Sequence, residues 1–180
     1  MPVPDFIVEL RRHIGHAPLW LSGITAVVLR PAPGLPAAPG NRELLMVQRA
    51  DNGRWTPVTG IVDPGEHPAA AAEREVLEEA RVTCRVDRLA WVSVTVPVEH
   101  VNGDRAQYLD HCFACTWLSG DPAVGDDESL ATGWFPLTDL PPLQPVFRAR
   151  LAAVLADDPV TRLDPAPPEL PSYVRVAQED

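Results

Sequence analysis

Gly60-Ile61-Val62-Asp63-Pro64-Gly65-Glu66-His67-Pro68-Ala69-Ala70-Ala71-Ala72-Glu73-Arg74-Glu75-Val76-Leu77-Glu78-Glu79-Ala80-Arg81-Val82 decides how this 180-residue chain is read. It reads as a turn followed by a helix. Pro64-Gly65 is a strong turn dipeptide. Pro68 suits the first helical turn, where its missing N–H costs little. The alanine run and the Glu, Arg and Leu that follow are good helix formers. Ala69, Ala72, Val76 and Ala80 recur at helical spacing and form one small apolar stripe.

Glu75 and Glu79 are one turn apart on the same helix face, and Glu78 flanks both. Like charges so spaced repel by a few tenths of a kcal/mol even in solvent. Three carboxylates on one patch raise each other's pKa unless a cation balances them. A hard divalent cation does so with oxygen ligands, and Mg²⁺ or Mn²⁺ suits carboxylate, water and phosphate together. Arg74, one turn from Glu78, is placed to lock carboxylate rotamers. A solvated helix with ordinary Glu–Arg pairs explains the same residues when the helix is taken alone.

The loop ahead of the helix adds a second constraint. The pattern G-x5-E-x7-R-E-V-x-E-E-x-x-V resembles the signature of the Nudix hydrolases, G-x5-E-x7-R-E-U-x-E-E-x-G-U, where U is bulky and aliphatic. Gly60, Glu66, Arg74, Glu75, Val76, Glu78, Glu79 and Val82 match. At average residue usage a joint chance match is on the order of a few per billion per window. Arg81 stands where the signature has its second Gly, a residue suited to the left-handed position that closes a helix. That departure bears on the helix end and removes no ligand.

The rest of the chain reads more coarsely. Phe6 to Ile14 is a short amphipathic helix that Pro18 ends, either packed on the domain or used as a dimer contact. Gly23 to Leu29 is a β-branched buried strand, Pro31 to Gly40 a loop, and Leu44 to Arg49 the return strand. Val82 to Val98 holds a short strand and a longer one, with valines alternating from Val92 to Val98 on a half-buried face. Asn102-Gly103 marks a hairpin turn, and Gln107 to Leu118 is its partner strand. Leu130 to Leu137 is a final strand. Pro145 or Val146 to Ala156 is a second clear helix. Beyond Asp157, repeated prolines break regular structure, and Tyr173 and Val174 are candidates to hold that tail on the domain or a partner. The expected organisation is a helical extension over 1–20, a domain over 21–157 and a Pro-rich tail over 158–180.

Net charge is −10, which argues against a polymeric nucleic-acid partner. It is compatible with a small phosphorylated substrate when a metal supplies positive charge. No apolar run approaches a membrane span, and Met1 to Asp5 lacks the features of a signal peptide. Cys112-x-x-Cys115 lies in a strand, where residues three apart face opposite ways. Buried, reduced thiols are therefore expected, which fits a cytoplasmic protein. A symmetric homodimer is consistent with the assemblies common among soluble proteins.

The helix and strand order fits an α+β class, and the resemblance turns this into the Nudix α/β/α sandwich with a mixed central sheet. It implies hydrolysis of a phosphoanhydride bond in a nucleoside diphosphate linked to another moiety, with Mg²⁺, or Mn²⁺, as cofactor. It implies metal ligation by Glu75, Glu78, Glu79 and the Gly60 carbonyl. Arg74 then orients carboxylates, and Glu66 clamps the loop to the helix. Glu128, with Asp127 second, is the expected carboxylate from the loop ahead of the Trp134-Phe135 strand. The general base is Glu75 or Glu128. Gln48 and Arg49, at a strand end, are candidates to approach substrate, against a plain exposed polar end. Trp55 is a core residue or a stacking surface, and His111 a structural residue or a phosphate contact. Tyr108, Trp91, Trp117 and Trp134 offer further aromatic surfaces. A Nudix-like binding protein without turnover is the alternative from another class. The substrate itself stays open among nucleoside triphosphates, ADP-ribose, nucleotide sugars and dinucleoside polyphosphates.

Overall fold

β1 (Leu19–Pro31) is the strand on which the sheet is built. Gly23 through Leu29 is buried without a break, the signature of a strand covered on both faces. The computed structural model describes residues 4–100, 102–125 and 128–178. On one side β1 pairs in parallel with β7 (Arg105–Ser119). On the other it pairs antiparallel with β2 (Arg42–Arg49) and β4 (Val58–Ile61). Next to β2 lie β3 (Trp55–Thr56) and β8 (Ser129–Pro136). β5 (Thr83–Val94) and the short β6 (Val98–Glu99) pair antiparallel with β7. The result is one eight-stranded mixed sheet.

Strand alternation sends successive side chains to opposite faces. On one face Ile24, Ala26, Val28, Leu45, Val47 and Val58 meet Ala72, Val76 and Ala80 of α2 (Pro68–Ala80). The small residues of that helical stripe allow close approach to the sheet. On the other face Val27, Leu29, Leu44, Met46 and Trp91 meet Leu151 and Val154 of α3 (Pro145–Leu155). α1 (Asp5–Ile14) extends this second layer, with Ile7 packed among Leu21, Ala106 and Tyr108. Helices on both faces make the expected α/β/α sandwich. Cys112 lies in the α3-side core and Cys115 in the α2-side core, so the Cys-x-x-Cys spacing splits across the sheet. All three cysteines are free and buried.

Two readings need correction. Thr83–Val94 is one strand with register shifts, not a short strand and a longer one. The alternating valines are not on a half-buried face throughout: Val94, the last residue of the strand, is 56% and Val96, beyond it, 77% exposed. β5 ends the strand path and has a neighbour on one side. What it buries is Cys84, Ala90 and Trp91, at 4%, 2% and 5% exposed.

The Pro-rich tail is docked by backbone hydrogen bonds. Arg175 N–H donates to Leu137 O at 2.9 Å, and Ala177 N–H to Leu140 O at 2.9 Å. Leu170, Tyr173, Val174 and Val176 pack on the α3-side core. Beneath α3, Arg150 and Asp110 form a buried ion pair at 3.0 Å. Thr25 Oγ1 donates to the same aspartate at 2.9 Å. Among the described residues no helix is long and apolar enough to cross a membrane.

Candidate active site

α2 begins with His67, whose imidazole accepts a hydrogen bond from Ala69 N–H at 3.4 Å, followed by Pro68 in the first turn. It ends at Ala80, with Arg81 left-handed at φ 56°, ψ 25°. Arg81 thus takes the conformation that the signature gives to Gly, and the helix stops at the usual place.

The glutamates of α2 separate by face. Glu75 is 1% and Glu79 6% exposed, both turned toward the sheet. The Glu78 side chain is 43% exposed, and Glu73 points elsewhere, accepting from Val86 N–H at 2.9 Å. Gly60 lies on the strand facing Glu75. A Cβ there would overlap the Glu75 carboxylate, so the signature's first glycine is a requirement of space.

Arg74 is the hub. Its Nε and Nη2 grip Glu66 in a two-pronged pair at 2.8 and 2.9 Å. Its Nη1 donates to Glu75 Oε1 at 3.0 Å and to Glu78 Oε2 at 3.0 Å. Its Nη2 also reaches Ile61 O at 3.3 Å, and Glu66 Oε2 accepts from Asp63 N–H at 3.2 Å. Glu66 therefore clamps the loop to the helix, and Arg74 orients two carboxylates.

The expected convergence of three glutamates takes a different form. Glu75 and Glu78 converge, but on one guanidinium nitrogen, and among the described residues no three His, Cys, Asp or Glu side chains form a ready metal cage. Arg74 supplies part of the cationic charge. It does not supply enough: burial raises the Glu75 carboxyl to about 7 against the opposing pull of Arg74, with the Glu78 charge adding to the rise. A buried carboxylate still under-compensated beside an arginine is a site that a further cation would stabilise. Its donors are carboxylate and carbonyl oxygens, the set that hard dications take. The residues present therefore fit Mg²⁺ or Mn²⁺.

Other candidates fall around this helix unevenly. Glu128 is exposed; its carbonyl accepts from Ala50 N–H at 2.7 Å, hooking its loop onto the end of β2. Arg49 pairs with Asp51 through Nε at 2.9 Å and Nη2 at 2.7 Å. That bond, and then the charges of Asp51, Glu128 and Glu79, hold its guanidinium more firmly protonated despite burial. Arg49 thus bridges the fields of the loop and helix carboxylates. Gln48 is turned to Gly53 O at 2.9 Å. His111 sits in a row across three strands, Gly60–Ile24–His111, on the α2 face, with Nδ1 3.1 Å from Gly23 O. Trp55 is not brought to the carboxylates. It packs edge-on against Phe135 at 4.7 Å and belongs to the α3-side core. Trp91 is core, Trp117 binds Gly120 O at 3.0 Å, and Trp134 lies under the Arg30 guanidinium at 4.3 Å. Asp127 lies outside the described residues. Sequence reasoning passed over Asp51, two residues from Arg49 and paired with it, and Trp20, 57% exposed. Strand parity puts Trp20 on the face of Ile24 and His111, a signal available once β1 is extended back to Leu19.

Comparison with known proteins agrees with this geometry. Residues 28–157 match the model of the NUDIX domain. A MutT-like protein of Streptomyces ambofaciens is 30% identical over 130 residues, covering 72% of this chain and 74% of that one. The 8-oxo-dGDP phosphatase of Mus musculus is 31% identical over 105 residues, 55% of this chain. The chain spans about a third of the length of the first curated relatives it matches, 31% and 30%. Among solved structures, an ADP-ribose pyrophosphatase from Streptococcus suis superposes with TM-score 0.57 at 25% identity, covering 80% of this chain and 98% of that one. A MutT NUDIX hydrolase from Burkholderia pseudomallei gives TM-score 0.50 at 27% identity, covering 76% and 98%. Buried paired glutamates, the arginine that orients them, the glycine that makes room and a domain match over most of the chain lead to one statement: this chain belongs to the Nudix hydrolase family.

Proposed function

We propose that this protein is a Mg²⁺-dependent pyrophosphohydrolase that cleaves a phosphoanhydride bond in a small nucleoside-diphosphate derivative, with Mn²⁺ able to replace Mg²⁺. The observation that carries the reading is Glu75, buried against Gly60 and incompletely balanced by Arg74. Glu75, Glu79 and the Gly60 carbonyl would hold the dication, with Glu78 released from Arg74 as a further ligand. An ion held there would supply charge to balance the phosphate oxygens and a lowered pKa for the attacking water. The chain's own residues set the stage for it. Arg74 holds the carboxylates in one rotamer, Glu66 fixes the loop that carries Gly60, and the sheet excludes water behind Glu75. Glu128, on the exposed loop, or Glu75 takes the proton from the attacking water. Arg49 and His111 would meet anionic phosphate oxygens, and Trp20 would offer an indole face to the planar part of the substrate. The buried free thiols suit a reducing compartment such as the cytoplasm.

A panel of nucleoside triphosphates, ADP-ribose, nucleotide sugars and dinucleoside polyphosphates tests this with Mg²⁺ or Mn²⁺. Phosphate, pyrophosphate and nucleoside monophosphate are read separately. Glu79→Gln should abolish turnover and leave the melting temperature near wild type. Tight binding of a panel member with no turnover in wild type would favour a ligand-binding protein of the same fold.

A further inference from the structure

Residues 120–125, between β7 and β8, are fastened to the last turn of α2 at several points. Gly125 N–H donates to Glu79 O at 3.0 Å and Ala123 N–H to Ala80 O at 3.0 Å. These are two of the carbonyls that a helix end leaves without partners. Arg81 returns the contact: its Nη2 donates to Gly125 O at 2.6 Å. The fit is tight. A Cβ on Gly125 would overlap Glu78 O, and one on Gly120 would lie 2.7 Å from Arg81 O. Trp117 Nε1 holds Gly120 O at 3.0 Å from the strand side. Downstream, Glu128 is hooked to Ala50. A glycine at 81 would close the helix equally well, but it carries no group that reaches Gly125.

From this arrangement we infer that Arg81 is a positioning residue: its guanidinium latches residues 120–125 to the helix turn bearing Glu79, and so limits where Glu128, three residues further on, can sit. The inference rests on the reading that Glu79 and Glu128 both serve the hydrolysis. The left-handed backbone at Arg81 is kept because the side chain supplies a bond that glycine cannot. Loss of the latch leaves the helix intact and removes the side-chain bond at Gly125, so that residues 120–125 are held by their two backbone bonds to α2 and by Trp117. Misplacement of a catalytic group by about 1 Å can lower a rate on the order of a hundredfold.

The test uses the full chain and three variants, Arg81→Gly, Arg81→Asn and Arg81→Lys. Gly and Asn tolerate the left-handed backbone, so the fold is retained. Amide hydrogen exchange over residues 119–125 is followed beside steady-state kinetics on whichever panel substrate wild type turns over. For Arg81→Gly and Arg81→Asn, exchange in that loop should rise several-fold while α3 is unchanged. The kcat should fall on the order of tenfold or more, with KM within about twofold. Arg81→Lys should recover most of both. Adding Glu128→Gln to Arg81→Gly should cost less than Glu128→Gln costs in wild type. Wild-type exchange in the loop of Arg81→Gly overturns the latch. Raised exchange with unchanged kcat overturns the positioning role. If wild type turns over nothing, the proposed hydrolysis fails, and the exchange arm still decides whether the latch exists.

Discussion

A carboxylate that is 1% exposed and shares the Arg74 guanidinium with two other glutamates is the most demanding residue in this fold. Its folded pKa of about 7 lies above its ordinary 4.5. The folded state therefore binds the Glu75 proton more tightly than the unfolded state. Relative to Glu75→Gln, metal-free wild type should lose stability as pH rises from about 4.5 to about 7 and stay lower above that. The gap amounts to a few kcal/mol at most. Thermal melts of both proteins across that range, with and without Mg²⁺, check this; Mg²⁺ should narrow the gap in wild type alone. Gly60→Ala acts on the same contact from the strand side. The added methyl collides with the carboxylate, and the expected loss is about 1–3 kcal/mol, read by chemical denaturation, together with loss of turnover.

At the scale of elements, α2 depends on what lies at each end. The Glu66–Arg74 clamp ties its entry loop, and Arg81 with residues 120–125 ties its exit. Glu66→Gln weakens a two-pronged charged pair, so turnover should fall more than stability. The comparison is kcat against melting temperature, with the latter expected to move by only a few degrees. Much of this element was legible in the sequence. The spacing of Gly60, Glu66, Arg74, Glu75 and Glu79 requires a loop, a helix and one acidic face. The loop-to-helix role of Glu66 followed from its place ahead of the helix start. Illegible was the contest for Glu78, because a side chain one turn from both an arginine and a candidate cation satisfies either. The docking of residues 120–125 was also hidden, since it depends on glycines at 120 and 125 meeting carbonyls some forty positions earlier. Trp55 stayed open between core and stacking surface for a related reason: a tryptophan beside the signature loop does not show which sheet face it takes.

The whole molecule is a sheet closed between layers, and its stability rests partly on one charged pair in the α3-side layer. Asp110 and Arg150 are 3% and 4% exposed, and burial raises the Asp110 pKa against the pull of Arg150 and Thr25. Arg150→Met would strand that carboxylate, and the expected loss is about 3–5 kcal/mol by denaturant titration. The double replacement Asp110→Leu with Arg150→Met should recover most of it. The three-layer architecture was readable from the order of elements and the family signature. The pairing of distant chain segments was not, because composition carries no record of register.

That pairing has a consequence for how the chain reaches its shape. Leu19 lies beside Ala106 and Leu29 beside Thr116 in the parallel seam at the sheet's centre. Closing so wide a span is entropically expensive and slow, on a scale of milliseconds to seconds. A ribosome emits the apolar Ile24–Leu29 segment long before its permanent neighbour exists. During that interval one of its edges is bare, open to misassembly with another nascent copy.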